Sequence, residues 1–453
     1  MAALTLWQRL WHYREMMSQP APSDSDPQRD ALTGLPGVEA VRARIAEWLA
    51  EGAASGAPPR IHALMLGIRR FDTVNLAYGA AGGDAALTEV AARMAGFAAE
   101  ELDGPWLVAR GGGGNFLIVA DEACSRERWQ FFAEQLAEAV ARPIAMPSGL
   151  LRLSPRIALL RGLAAEGVDS MLDRLGHALD SAKRQQGQRL AWADGESTRP
   201  GRTTAELEAD LLGAIDRDEI EVLFQPQFGL PADLLTGAEA LARWNHPRLG
   251  RIGAGALFAI AERTDHVAPL TRHIAARAMA AAKGWPGALR LSLNVTPADL
   301  GAPGYVRELL ASVTDTGFAP DRLTLEVTEQ ALLHDVALAA RMLGDLSRHG
   351  IRVALDDFGA GFCNFRYLKL LPLHYLKLDR SMIDGITSDP RDLAVLRAIV
   401  AMAGALDLDV IAEGVENEEQ RRMIAAEGCR FWQGFLRAQP MSAADFLALA
   451  ETA

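Results

Sequence analysis

The second half of the chain alternates short apolar runs with helical segments, and this regularity limits the fold more than any other feature. Eight runs of strand length lie between residues 221 and 435, most of them separated by segments with helical spacing. They are Glu221–Gln225, Leu235–Ala242, Leu289–Val295, Leu323–Val327, Arg352–Asp356, Tyr375–Leu378, Asp409–Ala412 and Arg430–Phe435. Such an alternation over about 250 residues is typical of a TIM-type (β/α)8 barrel. We therefore predict an α/β protein with this barrel at residues 203–453.

Three further segments precede the predicted barrel. Residues 1–29 combine a short amphipathic helix, with aromatic and aliphatic side chains at helical spacing, and a linker rich in Pro, Ser and Asp. Residues 30–194 alternate helical and strand-like runs and predict a separate α/β domain, and residues 195–202 form a second linker. Residues 1–18 are expected either to pack within the protein or to contact a partner or a membrane surface.

Composition excludes several classes of protein. The formal net charge of −12 argues against binding to a nucleic acid polymer, which needs a basic face. No apolar run reaches the roughly 18 residues of a transmembrane helix. The cysteines Cys124, Cys363 and Cys429 are scattered and lack the spacing of zinc ligands, which is typical of reduced thiols. We therefore expect a cytoplasmic protein.

Polar residues recur at the ends of the predicted strands, where TIM-type barrels carry their chemistry. These residues are Glu239, Asn294, Glu326, Asp356, Asp357, Lys377, Glu413 and Gln433. Carboxylates that converge on one barrel mouth repel each other unless cations lie between them. Hard oxygen ligands favour Mg²⁺ or Mn²⁺ over zinc. The pattern thus predicts a metal site that acts on a phosphate ester.

Seven ordered motifs in this half resemble the EAL phosphodiesterases, which cut cyclic di-GMP. The motifs are EALARW (Glu239–Trp244), NVTPADL (Asn294–Leu300), LEVTE (Leu325–Glu329), DDFGAG (Asp356–Gly361), LKLD (Leu376–Asp379), AEGVE (Ala412–Glu416) and QGF (Gln433–Phe435). The resemblance covers the span from about Thr203 to Ala453. It implies hydrolysis of cyclic di-GMP to pGpG with two divalent ions, Mg²⁺ or Mn²⁺, in a protein that forms a homodimer.

The resemblance also implies roles for individual residues. The first ion would be held by Glu239, Asn294, Glu326 and Asp356, and the second by Asp356, Asp357 and Glu413. Lys377 and Glu413 would be the catalytic residues that orient and deprotonate a water. Substrate contacts would come from Arg243, Leu241, Gln225 and Gln433, while Glu329 would anchor the loop after the DDFG motif. Because Glu239 is expected to lie exposed at the mouth, its replacement by alanine should leave the fold intact.

The 30–194 segment resembles the diguanylate cyclase (GGDEF) domains without their acidic residues. The resemblance lies in DALTGLPG (Asp30–Gly37), RFDTVNLAYGAAGGDAAL (Arg70–Leu87), ARGGGGNFLIV (Ala109–Val119) and AKRQQGQRL (Ala182–Leu190). Gly114 and Asn115 replace the two acidic residues of the signature, and Gly67 replaces the metal-binding Asp. The resemblance therefore implies a degenerate domain without cyclase activity.

Two questions stay open from the sequence. Asn75 and Asp84 match guanine-contacting positions, so the degenerate domain either binds GTP without turnover or serves only structure and dimerisation. The segment Ala360–Phe365 departs from the family after DDFG, which leaves a non-hydrolytic cyclic di-GMP receptor as the alternative to the enzyme. The complete set of metal ligands favours the enzyme.

Overall fold

The structure, a computed structural model, describes residues 29–55, 60–146, 149–163, 166–184, 189–194, 204–287, 289–332, 335–359 and 365–452. The predicted helix and contact surface of residues 1–18, the linker 195–202 and the altered segment 360–364 lie outside the described residues and stay predictions. The chain divides into two compact units. The first comprises the chain up to Glu206 together with Asn245–Ala256, and the second comprises Leu207–Trp244 and Leu257–Ala453.

Up to residue 194, the described part of the first unit is built from seven strands and four helices. In chain order these are α1 (Val38–Ser55), β1 (Ile61–Ile68), α2 (Phe71–Glu101), β2 (Trp106–Arg110), β3 (Asn115–Asp121), α3 (Arg126–Ala141), β4 (Ile144–Met146), β5 (Gly149–Leu151), β6 (Pro155–Arg161), α4 (Val168–Arg184) and β7 (Leu190–Trp192). The alternation of helices and strands that the sequence predicts for residues 30–194 is present in the described part of this segment.

A five-stranded sheet in the order β2-β3-β1-β6-β7 forms the centre of this unit. Apolar side chains of its strands alternate between the two faces, so that α2 and α3 pack on one face and α1 and α4 on the other. The central strand β1 is antiparallel to both neighbours, which sets Gly67 opposite Asn115 of β3 and opposite Arg156 of β6. Residues directly opposite in an antiparallel pair point to the same face, so these three positions share one side of the sheet.

The glycine run between β2 and β3 forms a tight turn. Gly112 and Gly113 have φ angles of 81° and 54°, in the left-handed region that glycine adopts without a steric penalty. The Arg110 guanidinium donates to the carbonyl oxygens of Gly113 and Asn115 and lies 4.4 Å from the centre of the Phe116 ring. The run thus closes the hairpin without contributing a carboxylate.

The second unit is a barrel of eight strands with surrounding helices. The elements after residue 203, of which β10 belongs to the first unit, are α5 (Thr204–Asp216), β8 (Ile220–Gly229), β9 (Leu234–His246), β10 (Gly250–Ile252), α6 (Ala254–Arg263), α7 (Val267–Ala282), β11 (Arg290–Val295), α8 (Pro297–Gly301), α9 (Tyr305–Thr316), β12 (Leu323–Thr328), α10 (Glu329–Leu332), α11 (Val336–Arg348), β13 (Arg352–Phe358), α12 (Phe365–Leu370), β14 (Tyr375–Leu378), α13 (Ser381–Asp384), α14 (Pro390–Ala405), β15 (Asp409–Ala412), α15 (Glu418–Glu427), β16 (Phe431–Trp432) and α16 (Ala443–Thr452).

The barrel closes in the order β9-β11-β12-β13-β14-β15-β16-β8, with β8 also paired to β9. This confirms the predicted TIM-type barrel, with one departure from the regular (β/α)8 pattern. β8 runs antiparallel to both β9 and β16, whereas the other pairs are parallel. The cause is the short connection between Gly229 and Leu234, because a parallel pair needs a crossover of about a dozen residues or more.

Within the described part of the chain, no helix is both long and apolar enough to cross a membrane. Two of the three cysteines, Cys124 and Cys429, fall in this part and carry free thiols. Burial raises the pKa of both thiols to about 12. Neither is therefore a reactive thiolate at neutral pH.

Candidate metal centre at the barrel mouth

The polar residues that the sequence places at strand ends converge at the mouth of the barrel. β11 and β12 pair so that Asn294 lies opposite Glu326. The Asn294 side chain reaches across to β9, where its Nδ2 donates to Glu239 Oε1 at 2.8 Å. Because the amide donates through its nitrogen, the Asn294 carbonyl oxygen remains available as a metal ligand.

The ammonium group of Lys377 lies among four carboxylates of this cluster. Its Nζ is 2.5 Å from Glu326, 2.8 Å from Glu413, 3.0 Å from Asp356 and 3.4 Å from Glu239. The Lys377 side chain is 1% exposed, and Glu239 is 6% exposed as a residue. The expectation that Glu239 lies exposed at the mouth is therefore wrong, because the barrel wall and the lysine enclose it.

Two consecutive aspartates point toward the same site, although neighbouring residues of a strand normally face opposite sides. Asp357 has a φ of 57°, and the pairing of β13 with β14 shifts register between Leu355 and Phe358. This irregularity brings ligand oxygens of Asp356, Asp357 and Glu413 within 4.8 Å of one another. The pKa of Asp357 is raised to about 7, first by loss of solvent around its carboxyl group and then by the charge of Asp356.

Burial and the neighbouring charges also shift the pKa values of Glu326, Glu413 and Lys377. Burial, followed by the charge of Glu239, raises the pKa of Glu326 to about 8, and burial raises the pKa of Glu413 well above its usual range. Burial alone would lower the pKa of Lys377, but the surrounding carboxylates raise it well above its ordinary value. Among the described residues of the barrel mouth, Lys377 is thus the single basic side chain that forms ion pairs with these carboxylates.

This donor set fits divalent metal ions. The ligands are carboxylate and amide oxygens, the type that Mg²⁺ and Mn²⁺ prefer. Glu326 Oε1 is buried and has no hydrogen-bond partner among the described residues, which is costly for a carboxylate oxygen unless a cation compensates it. In the described chain, one group of three or more His, Cys, Asp or Glu side chains has its ligand atoms within 4.8 Å of one another. This group consists of Asp356, Asp357 and Glu413.

Gln433 links Glu239 and Glu413 through hydrogen bonds. Its Nε2 donates to Glu239 Oε2 and to Glu413 Oε1, both at 2.8 Å. Its own Oε1 accepts a hydrogen bond of 3.0 Å from Gln227 Nε2, and Gln227 is 5% exposed. Sequence reasoning missed Gln227. The available signal was its spacing, because Gln227 lies two residues after Gln225 and therefore on the same face of β8.

The predicted substrate residues form one row at the mouth. Glu239, Leu241 and Arg243 alternate along β9, and Gln225 lies directly opposite Glu239 across the antiparallel pair. Arg243 is 8% exposed, and its Nη1 donates to the Ala242 carbonyl at 2.8 Å. Glu329 follows β12 as the first residue of α10, and its side chain lies outside the described atoms.

In the first unit, the predicted GTP-contacting residues lie on α2. This helix is kinked at Gly79, which has a φ of 75° and a ψ of 170°. The kink places the Asn75 side chain against Gly83, beside the exposed Asp84, so that a Cβ atom at Gly83 would lie 1.8 Å from Asn75 Oδ1. The two residues are thus close to each other, on one stretch of the helix.

Comparison with known families identifies the chain. The EAL domain family matches residues 208–440, just over half of the chain, and the diguanylate cyclase GGDEF domain family matches residues 28–189. The chain therefore belongs to the EAL family, with a GGDEF domain ahead of the EAL domain. Both resemblances stated from the sequence motifs are confirmed.

Individual relatives match most of the chain. The chain is 30% identical over 423 residues to the uncharacterised protein y4lL of Sinorhizobium fredii, covering 93% of this chain and 50% of that protein. It is 30% identical over 399 residues to the bifunctional diguanylate cyclase/cyclic di-GMP phosphodiesterase MucR of Pseudomonas aeruginosa, covering 86% of this chain and 57% of MucR. The chain thus spans about half to two thirds of the curated relatives it matches.

A solved structure matches the barrel. The structure of the PaMucR phosphodiesterase in complex with c-di-GMP superposes with a TM-score of 0.51 at 33% identity. The match covers 53% of this chain and 99% of that chain.

Proposed function

We propose that the barrel hydrolyses cyclic di-GMP to linear pGpG with the help of two divalent ions, Mg²⁺ or Mn²⁺. The observation that carries the proposal is the buried cluster of carboxylates around Lys377 at the barrel mouth. Similarity to MucR and to a phosphodiesterase in complex with c-di-GMP supports the choice of substrate. A homodimer stays a prediction.

The ligands divide into two sets that share Asp356. We assign Glu239, Asn294, Glu326 and Asp356 to one ion, and Asp356, Asp357 and Glu413 to the other. When bound, such ions neutralise the carboxylates, polarise the phosphate and acidify a water molecule. Gln433 holds Glu239 and Glu413 in position through its two hydrogen bonds.

We assign proton transfer to Glu413, with Lys377 in a supporting role. Hydrolysis needs a water to lose a proton as its oxygen attacks phosphorus, while the bond from phosphorus to the 3′ oxygen breaks and that oxygen gains a proton. Glu413 Oε1 accepts a hydrogen bond of 2.8 Å from Gln433 Nε2, which holds the carboxylate in the site where it can take the proton of the water. The Lys377 ammonium, 2.8 Å from Glu413, orients that carboxylate and stabilises negative charge near it.

We assign substrate binding to three residues of β8 and β9, namely Gln225, Leu241 and Arg243. Arg243 supplies a guanidinium for a phosphate of the substrate, a pairing that its planar group of donors suits. Gln225 and Leu241 are assigned to polar and apolar contacts with the same nucleotide, because they share the face that carries Glu239.

Chromatography of the products tests this proposal. The purified full chain, incubated with cyclic di-GMP and Mn²⁺ or Mg²⁺, is expected to release pGpG, and EDTA is expected to stop the reaction. Intact nucleotide together with measurable binding would contradict the proposal and favour the receptor alternative. The retained carboxylates argue against that alternative, because a receptor has no need of a crowded acidic centre.

Gln227→Met is expected to lower kcat/KM by roughly tenfold, because loss of the hydrogen bond to Gln433 Oε1 lets the Gln433 side chain rotate away from Glu239 and Glu413. Steady-state kinetics and Mn²⁺ affinity measure the effect. Gln420→Met, which removes a buried glutamine that caps α15, serves as the control and should lower stability without changing Mn²⁺ affinity. Unchanged kinetics in Gln227→Met would show that Gln433 needs no support.

We propose that the first unit has no cyclase activity and acts in regulation or dimerisation. Gly67, Gly114 and Asn115 stand at the positions where the resemblance implies acidic residues, and no acidic metal cluster lies among the described residues of this unit. Incubation of the full chain with GTP and Mg²⁺ should therefore yield no cyclic di-GMP and no pyrophosphate.

A further inference from the structure

We propose that the base of the barrel, at the N-terminal ends of its parallel strands, binds a phosphate group between the guanidinium groups of Arg290 and Arg352. This site lies at the opposite end of the barrel from the acidic mouth. The proposal does not rest on the hydrolysis proposed for the mouth.

The strands place both arginines on the inner face of the barrel. Arg290 lies four residues before Asn294 on β11, and Arg352 lies four residues before Asp356 on β13. Side chains two and four residues apart on a strand share a face, so both arginines belong to the face that carries the metal cluster. The strands β11 to β16 run parallel from base to mouth, so the arginines meet at the base.

Tyr375 brings the two cations together. This residue begins β14, and its hydroxyl oxygen accepts hydrogen bonds from Nη1 of Arg290 and from Nη1 of Arg352. Loss of solvent lowers the pKa of Arg290, Tyr375 raises it, and the charge of Arg352 lowers it again. Two guanidinium groups that share one acceptor repel each other, and an anion between them would relieve the repulsion.

Little negative charge compensates this pair. Among the described residues, no carboxylate forms an ion pair with Arg290 or Arg352. Asp409, which begins β15, raises the pKa of Arg290 but forms its ion pair with Arg430, at 3.6 Å. Burial lowers the pKa of His374, and the charge of Arg352 lowers it further, so this neighbour is neutral at pH 7. The base thus carries an excess of positive charge.

Aromatic rings hold the planes of the guanidinium groups. The Arg290 Cζ atom lies 4.4 Å from the centre of the Phe431 ring and 5.1 Å from the centre of the Tyr375 ring. The Arg352 Cζ atom lies 5.9 Å from the centre of the Tyr375 ring. A guanidinium group packed on a ring keeps the N–H groups at its edge available. Both arginines are half-buried, and the Tyr375 hydroxyl is their one acceptor among the described residues, so further donors remain for a ligand.

The Tyr375 hydroxyl points to a ligand independently of the charges. Tyr375 is 2% exposed, and its oxygen accepts from both arginines, so its hydrogen needs a further acceptor. No such acceptor is found in the described part of the chain. A buried O–H group without an acceptor is costly, and an anion between the arginines would accept its hydrogen.

An apolar cluster lies between this site and the metal centre. Its members stand two residues before the polar residues of the mouth on β13, β14, β15 and β16. They are Ala354, Tyr375, Ile411 and Phe431. A ligand at the base therefore does not reach the carboxylates of the mouth.

The chemistry of the pair favours a phosphate group over a carboxylate. Guanidinium groups bind phosphate oxygens through paired hydrogen bonds, and two cations match the charge of a phosphate dianion. A carboxylate carries a single charge, which leaves one cation without compensation. The phosphate group belongs either to inorganic phosphate or to a phosphomonoester such as a nucleotide.

Fluorine NMR of the full chain labelled with 3-fluorotyrosine tests the proposal, with inorganic phosphate as the probe in buffer that contains EDTA. The chain has five tyrosines, and the resonance that Tyr375→Phe removes reports on the base. We expect this resonance to shift with phosphate until the site is saturated, and not to shift with potassium chloride at the same ionic strength. EDTA removes divalent ions, so the result does not depend on hydrolysis at the mouth.

Variants measure the contribution of each arginine to the same titration. Arg352→Met should weaken phosphate binding by about tenfold or more, and Arg290→Lys should weaken it less, because it keeps the charge but loses the planar donors. The control Arg341→Met removes an exposed arginine of α11 and should bind as the parent does. Circular dichroism shows whether each variant is folded, and the titration of the parent tests the proposal without any variant.

Titrations with 5′-GMP and 5′-AMP beside inorganic phosphate assign the source. Tighter binding of the nucleotides indicates a phosphomonoester, and equal or weaker binding indicates inorganic phosphate. A Tyr375 resonance that phosphate leaves in place, a shift that chloride reproduces, or an unchanged affinity in folded Arg352→Met would each overturn the proposal.

Discussion

Glu239→Ala is expected to lower the rate of cyclic di-GMP hydrolysis on the order of 10³-fold or more. The substitution removes a proposed metal ligand whose two oxygens also accept hydrogen bonds from Asn294, Gln433 and Lys377. Those three side chains lose the group that holds them in one arrangement, so both ion binding and the geometry of the site suffer. Product chromatography over long incubations measures the residual rate.

The same variant should remain folded. The buried donors of Asn294, Gln433 and Lys377 lose one acceptor each, so we expect the melting temperature in EDTA to fall while the protein stays folded. Glu308→Ala provides the control, because Glu308 is a partly exposed carboxylate of the same unit that pairs with Arg272 at 2.5 Å. Near-normal turnover in Glu239→Ala would show that the metal assignment is wrong.

Lys377→Met is expected to destabilise the metal-free protein by about 3–5 kcal/mol, since it leaves buried carboxylates without their cation. Added Mn²⁺ should restore much of that stability, because the ions replace the missing positive charge. Hydrolysis should still fall by about 10²-fold or more, because Glu413 loses the ammonium group that orients it.

Thermal denaturation in EDTA and in Mn²⁺ separates these two effects. The matched variant Lys283→Met replaces an exposed lysine and should change neither the melting temperature nor the rate. Equal melting temperatures for Lys377→Met and the parent in EDTA would mean that the carboxylates are already protonated and need no internal cation.

Much of the barrel could be predicted because its strands are short, apolar and evenly spaced. Tyr375–Leu378 and Asp409–Ala412 were predicted at their observed bounds. The reversal of β8 was missed, since an apolar run carries no sign of direction. The short interval between Gly229 and Leu234 was the usable clue, as it has no room for a crossover helix.

The site was predicted by residue type but not by arrangement. The motifs predict Lys377 beside the acidic cluster, whereas the structure places its ammonium group among four carboxylates. This arrangement depends on the length of the lysine side chain and on the depth of β14 in the barrel, which the sequence does not show. In the first unit, the sequence shows that carboxylates are missing at Gly67 and Asn115, but only the packing shows that Lys183 fills the space.

The most direct test of hydrolysis at the barrel mouth is a single-turnover reaction in water enriched in ¹⁸O, with the full chain in excess over cyclic di-GMP and with Mn²⁺ present. Mass spectrometry of the product should show pGpG with one ¹⁸O atom on its terminal phosphate, and no product should form in EDTA. Bound but unaltered cyclic di-GMP, or product without the label, would contradict the account.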